Sequence, residues 1–248
     1  MAEVGTLRIA PVKGLRTVRC ERLNFDVGGV AADRRLFLVD SDTAVVTLRE
    51  RPGLVAAVPS LDLAEGELRL DLPDGSRASA DLGHLGEPVR TRLFGKERSG
   101  RVVDGDASTA LSELAGEPLR LVLADGPGVG WDEGPVSLVG TSSVSAVGSP
   151  GGDADRYRML VELTGTAPFE EDGWVGRQLQ AGEAVLRVTQ QLGRCVVITR
   201  HPRSGERDWE GLEALAAARG RDQLCLGVIA EVVRPGDVAL GDEVRPLA

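Results

Sequence analysis

Histidine and lysine occur twice each in 248 residues, cysteine three times, and aromatic side chains make up 3 % of the chain. Two histidines, His84 and His201, are too few for a histidine-rich zinc or iron site. Cys20, Cys195 and Cys225 are odd in number, widely spaced and contain no C-x-x-C. They exclude a four-cysteine iron–sulfur cluster, argue against a disulfide framework and suit a reducing compartment. No apolar run approaches the roughly 20 residues of a membrane span, and the start lacks the basic and apolar regions of a signal peptide. A cytoplasmic protein with no membrane partner is expected. Basic excess is missing too. The net charge is −9, so nucleic acid is not an expected partner.

What is present is a β-rich pattern. Short apolar or alternating runs recur at roughly 8–12-residue spacing, as in sandwiches and barrels. They cover 7–9, 20–25, 36–39, 45–48, 54–58, 67–72, 89–93, 119–123, 136–139, 158–163, 184–189, 195–199, 226–233 and 242–244. Leu68-Arg69-Leu70-Asp71-Leu72 before Pro73-Asp74-Gly75 reads as a hairpin. Helices are expected at 108–115 with Ser108 as N-cap, at 141–147, and at 212–219 with Gly220 as the stop. The class is mostly β (α+β). The glycine-rich segment Asp125-Gly126-Pro127-Gly128-Val129-Gly130 divides it into 1–125 and 126–248 as a candidate linker. It lacks the Gly-Lys-Ser/Thr of a phosphate loop.

Arginine outnumbers lysine 27 to 2, which makes lysine positions informative. Lys96 lies in the loop-like Phe94-Gly95-Lys96-Glu97-Arg98 and carries no motif. Lys13, between Val12 and Gly14 after a proline, sits on a bend where backbone and ammonium can both meet a ligand. The segment Gly193-Arg194-Cys195-Val196-Val197-Ile198-Thr199 places a thiol after an arginine, at the head of an apolar run read as a strand. An adjacent arginine favours the thiolate, the form that attacks electrophiles or binds a soft metal. A buried small hydrophobe is the other reading of the same cysteine.

These pieces stand in a recognisable order. Pro11-Val12-Lys13-Gly14-Leu15 precedes Gly28-Gly29-Val30-Ala31-Ala32-Asp33-Arg34-Arg35 and then Val46-Thr47-Leu48-Arg49-Glu50-Arg51-Pro52-Gly53. The second half has Arg156-Tyr157-Arg158, Pro168-Phe169-Glu170-Glu171-Asp172-Gly173-Trp174, Arg194-Cys195, Val233-Arg234-Pro235-Gly236-Asp237 and Gly241-Asp242-Glu243-Val244. Over nearly its whole length the chain resembles MOSC-domain proteins with an N-terminal MOSC β-barrel domain, in a layout similar to the amidoxime-reducing components. The resemblance implies two β-barrel-like halves around a molybdenum cofactor of molybdopterin type, not pyridoxal phosphate. It implies Cys195 as metal ligand and catalytic residue, with Lys13, Gly14, Arg34, Arg158, Gly193 and Arg194 as cofactor contacts. Arg35 and Arg156 adjoin these positions, and Glu170, Glu171 and Asp172 look like acids that hold the basic residues in place. The chain departs from the family pattern at Leu160 and Ile229, usually polar and aromatic, and at Gly14 and Gly193, often serine.

The activity so implied is reduction of N-oxygenated small molecules. Within these 248 residues three scattered cysteines cannot carry an iron–sulfur domain, and no G-x-G-x-x-G follows a strand. Electrons are therefore expected from a separate ferredoxin or flavoprotein reductase. The alternatives are a sulfur carrier using a Cys195 persulfide and a divergent ligand-binding member.

Overall fold

The computed structural model describes residues 1–152 and 154–247. In the first half the strands are β1 (Ala2–Ile9), β2 (Val18–Cys20), β3 (Arg22–Phe25), β4 (Leu36–Val39), β5 (Val45–Val46) and β6 (Val58–Asp62). They continue with β7 (Glu67–Asp71), β8 (Arg77–Asp81), β9 (Leu85–Leu93), β10 (Lys96–Val103), the helix α1 (Asp106–Ala115) and β11 (Arg120–Ala124). The second half comprises β12 (Val136–Gly140), α2 (Thr141–Ala146), β13 (Val161–Thr164), β14 (Gln178–Ala181) and β15 (Ala184–Gly193). It ends with α3 (Gly211–Arg219), β16 (Cys225–Arg234), β17 (Gly236–Ala239) and β18 (Glu243–Pro246).

Seven strands close on themselves in the order β13-β12-β16-β15-β14-β18-β1, with β1 returning to β13. Closure leaves no unpaired edge, which removes the main aggregation hazard of a β-fold. The barrel interior is packed by Leu7, Leu138, Leu163, Leu179, Leu186 and Val228, all inaccessible to solvent. The closing strand β1 comes from the start of the chain, so the halves interleave: β3 likewise pairs with β17 of the second half. A register shift between Val4 and Thr6 bends β1 at Gly5. A Cβ there would lie 2.7 Å from Thr164 Cγ2, so glycine permits the close approach.

The rest of the first half forms the sheet β5-β4-β11-β10-β9 and the three-stranded meander β6-β7-β8. α1 packs Ala107 and Leu111 into the core that also buries Leu54, Leu68, Leu70 and Leu121. β4 is covered on both faces. Leu36 and Leu38 enter this core, while Phe37 and Val39 enter a smaller one with Val89 and Val122.

The chain is mostly β with a few short helices, as its pattern implies, but several elements differ in kind. The run 195–199 is no strand: Val196–Thr199 is a 3-10 turn with Cys195 extended at its head. Its apolar side chains are divided among directions, Ile198 into one core, Val197 against another and Val196 to solvent, which a two-fold alternation cannot supply. Within 54–58, Pro52–Ala56 is also a 3-10 turn, since Pro52 has no amide to give a ladder. Run 20–25 breaks at Glu21, 45–48 pairs only through Val45–Val46, and in 158–163 pairing begins at Val161. Phe94–Arg98 is not a loop, because residues 94–95 turn the β9–β10 hairpin. α1 starts at Asp106 with Gly105 as its N-cap. Ser108, inside the first turn, instead accepts the Leu121 N–H and ties the helix to β11.

Candidate functional site

A cavity of about 390 Å³ is lined by Lys13, Gly14, Arg34, Arg158, Gly193, Arg194 and Cys195, the residues that the resemblance implies as metal ligand and cofactor contacts. They come from four separate stretches of chain. The Val12 bridge to Leu36 and the Lys13 amide bonded to Leu36 O (2.8 Å) lay the Pro11–Lys13 segment beside β4. Gly14, at φ 90°, completes the bend, with Leu15 N donating to Val12 O. Arg34 and Arg158 both hold left-handed backbone, φ 50° and 56°, a strained conformation for a side-chain-bearing residue. The Arg34 amide bonds to Ala10 O, and Asp33 accepts the Ala10 N–H (2.8 Å) while pairing with the Arg34 guanidinium. Arg158 caps the 3-10 turn Asp155–Tyr157, which Arg8 anchors through Asp155 at 2.6 Å.

Lys13 is 5 % exposed; its Nζ donates to Asp132 Oδ1 (2.5 Å) and to Gly130 O (3.2 Å). Burial pushes the Lys13 ammonium down to about 8, against the pull of Asp132 and with the push of Arg34 and Arg158. Burial also lowers Arg158, to about 10, with Arg34 adding to the effect and Asp132 and Asp33 opposing it. Burial acts against Arg34 as well, but Asp33 and Asp132 hold it above its ordinary value. Asp132 is held low: burial favours its neutral form, and Lys13, Arg34 and Arg158 outweigh that. Among the described residues nothing accepts a hydrogen bond from the Arg158 guanidinium.

Arg194 is different. Its Nε donates to Leu226 O (2.9 Å), its Nη1 to Tyr157 O (3.0 Å), and its guanidinium lies over the Tyr157 ring, 5.4 Å from the centroid. Burial lowers it to about 10. Its hydrogen bonds are committed inside the protein, where they fix the wall from which Cys195 emerges. Arg156, also on the wall, donates to Ile198 O and Arg200 O (both 3.0 Å) and pairs with Asp208. It thereby holds the turn after Cys195.

The three acids expected to steady these cations do other work. Glu171 accepts from Gly140 N and Ser143 Oγ, Glu170 from Ala167 N, and Asp172 pairs with Arg219. Arg35 does not line the cavity. Leu160 is buried in the barrel core and Ile229 lines the cavity, while a Cβ at Gly193 would meet nothing within 4 Å. The acid that faces the clamp is Asp132, missed because it follows the segment read as a linker. That segment connects β11 to β12, yet it is also a wall. Gly130 presses on Arg34 so closely that a Cβ would lie 2.1 Å from Arg34 O. Once the structure shows Lys13 buried, a counter-ion is required, and Asp132 supplies it.

Among the described residues no group of three or more His, Cys, Asp or Glu could hold a metal ion, and no helix is long and apolar enough to cross a membrane.

Family comparison assigns both halves of the chain. Residues 1–118 match the MOSC N-terminal beta barrel domain and residues 125–245 the MOSC domain. The chain belongs to the MOSC-domain proteins that carry this N-terminal domain, a family associated with the molybdenum cofactor. A molybdenum cofactor sulfurase of Oryza sativa subsp. japonica is 26 % identical over 89 % of the chain. The chain spans 31 % of that relative's length. Among solved structures, the YUAD protein of Bacillus subtilis has a TM-score of 0.49 at 16 % identity, covering 98 % of this chain and 93 % of that one. YiiM of Geobacillus stearothermophilus has a TM-score of 0.34 at 12 % identity, covering 66 % and 72 %.

Proposed function

We propose that the cavity holds a molybdenum cofactor of molybdopterin type and that the chain reduces N-oxygenated compounds such as hydroxylamines, amidoximes or N-oxides. The observation that carries this reading is Arg158, a half-buried guanidinium with no acceptor among the described residues, beside Lys13 and Arg34 in a cavity that also exposes Cys195. A charge so placed favours an anionic ligand, and arginine suits phosphate through bidentate geometry. The donor set fits as well. One thiol cannot hold a metal alone, so the metal must arrive with other ligands, and a thiolate suits its soft coordination sphere.

In this reading Lys13, Arg34 and Arg158 hold the phosphate end and Cys195 holds the metal. Arg194 and Arg156 fix the backbone on either side of the thiol. When bound, the cofactor supplies the two-electron chemistry that turns an N–OH group into an amine and water. The electrons come from a separate ferredoxin or flavoprotein reductase. Metal and pterin analysis of the chain purified from a molybdenum-cofactor-competent host is the test. Both should be present, and reduced viologen but not NADH or NADPH alone should drive turnover. A folded chain carrying neither metal nor pterin sinks the reading.

A second reading has one observation in its favour, the similarity to a sulfurase. There Cys195 would carry a persulfide, seen by mass spectrometry as an adduct of about 32 Da that is lost on reduction.

A further inference from the structure

The β9–β10 hairpin turns through Phe94 and Gly95, at φ 50° and 78°. A two-residue turn with both central residues left-handed suits Asn-Gly or Asp-Gly. Phenylalanine in the first place is strained, and the residue is 51 % exposed and belongs to none of the four buried clusters. The ring lies on the cavity wall, with the Arg49 guanidinium 4.8 Å from its centroid. Arg49 lines the same cavity and is exposed, and among the described residues no carboxylate pairs with it. Its sequence neighbour Glu50 accepts instead from Thr47 N and Oγ1, at 3.0 and 2.7 Å. Around the cavity stand six basic side chains (Lys13, Arg34, Arg49, Arg156, Arg158, Arg194) against Asp33, Asp132 and Glu133, in a protein of net charge −9.

We infer that Arg49 and Phe94 form a lip that selects a planar organic anion, an aryl or conjugated carboxylate, as the substrate of this cavity. The inference rests on reading the cavity as a substrate site. One face of the guanidinium is covered by the ring, so its N–H edge is left to pair in plane with a carboxylate. The substrate's own ring then lies along Phe94 and the Leu48 wall, where stacking and apolar burial act together. The lip comes from the first half of the chain, the thiol from the second. A strained, solvent-exposed aromatic is a poor choice for hairpin stability, which explains its presence by ligand contact.

The test is calorimetric titration of the full chain, purified from a cofactor-competent host, with benzoate, the uncharged benzamide, and sulfate. Arg49→Gln should weaken benzoate about five- to tenfold, the loss of a charge-assisted bond, and leave benzamide unchanged. Phe94→Asn should weaken both aryl probes while holding or raising the melting temperature, because asparagine suits the turn. In the full chain from a host that makes no molybdenum cofactor, where the clamp is open, Arg158→Gln should weaken sulfate more than benzoate. Benzoate affinity equal in wild type and both lip variants, or absent from all, overturns the inference. So does a loss in Arg158→Gln that Arg49→Gln does not share, which would seat the carboxylate on the inner clamp. Binding is read without turnover, so the two readings fail separately. A chain that binds benzoate through Arg49 yet reduces no N-oxygenated compound keeps the lip and loses the reductase. One that reduces benzamidoxime and 4-carboxybenzamidoxime with the same kcat/KM ratio in wild type and Arg49→Gln keeps the reductase and loses the lip.

Discussion

Two stretches of the cavity wall each present a half-buried arginine lowered to about 10, and they behave in opposite ways. At the Arg194 wall the guanidinium bonds to Leu226 O and Tyr157 O and covers the Tyr157 ring. At the clamp wall Arg158 stands with Lys13 and Arg34 and has no acceptor among the described residues. The same residue type at similar depth is thus a strut in one place and a ligand-seeking charge in the other. Burial tells neither apart. The acceptor inventory does, because a guanidinium whose donors are not committed to the protein can pair with an incoming anion.

The largest expected effect lies at the thiol next to Arg194. Cys195→Ala should abolish reductive turnover, by about a hundredfold or more given that even outer-shell changes at metal sites cost 10–100-fold. Its melting temperature should stay near wild type. Turnover at the wild-type rate would remove the thiol from the chemistry.

Next comes the comparison itself. Arg194→Gln should destabilise the fold by about 1–3 kcal/mol for each carbonyl left unpaired, with little direct effect on sulfate affinity. Arg158→Gln should do the reverse, weakening sulfate or cofactor retention about tenfold, the size of one charge-assisted bond, while the ligand-free chain melts no lower. Paired thermal melts and titrations decide. If both variants lose stability alike and bind alike, the distinction between strut and clamp collapses.

A smaller effect follows from Lys13. Its folded pKa of about 8 lies below the usual 10.5, so the fold disfavours the charged form. That penalty is present below pH 8 and relieved as pH rises through 8 toward 10.5. The ligand-free chain should therefore gain stability from this group over that window while losing sulfate affinity as the ammonium deprotonates. Lys13→Met should flatten both curves. Sulfate is the probe because its own charge does not change there. Parallel pH dependence in wild type and Lys13→Met would mean that another group titrates.

The smallest effect is expected at the other thiols. Cys20→Ala and Cys225→Ala should retain wild-type turnover, since neither lines the cavity.

Much of the site is legible in the sequence. Scarcity singled out Lys13, and the Arg-Cys pair singled out Cys195; both line one cavity with Arg34 and Arg158. Asp132, Arg49 and Phe94 were not legible. Asp132 hides behind a glycine-rich segment that looks like a spacer, and Phe94 in a hairpin tip that carries no local motif. Glu170, Glu171 and Asp172 misled in the other direction, because proximity in sequence to a family motif says nothing about which cation a carboxylate meets.

The sequence by itself determined the mostly-β class, the helices α1, α2 and α3 to within two residues, and the residue types from which an anion clamp could be built. These depend on local spacing and composition, which act over a few residues. The closed barrel was decided by tertiary structure, since β1 must travel the length of the chain to pair with β13 and β18. So were the 3-10 turn after Cys195 and the roles of the two arginines. Whether a guanidinium finds an acceptor depends on carbonyls and carboxylates brought from distant segments, as Leu226 is to Arg194 and Asp132 is to Lys13. No local pattern carries that information.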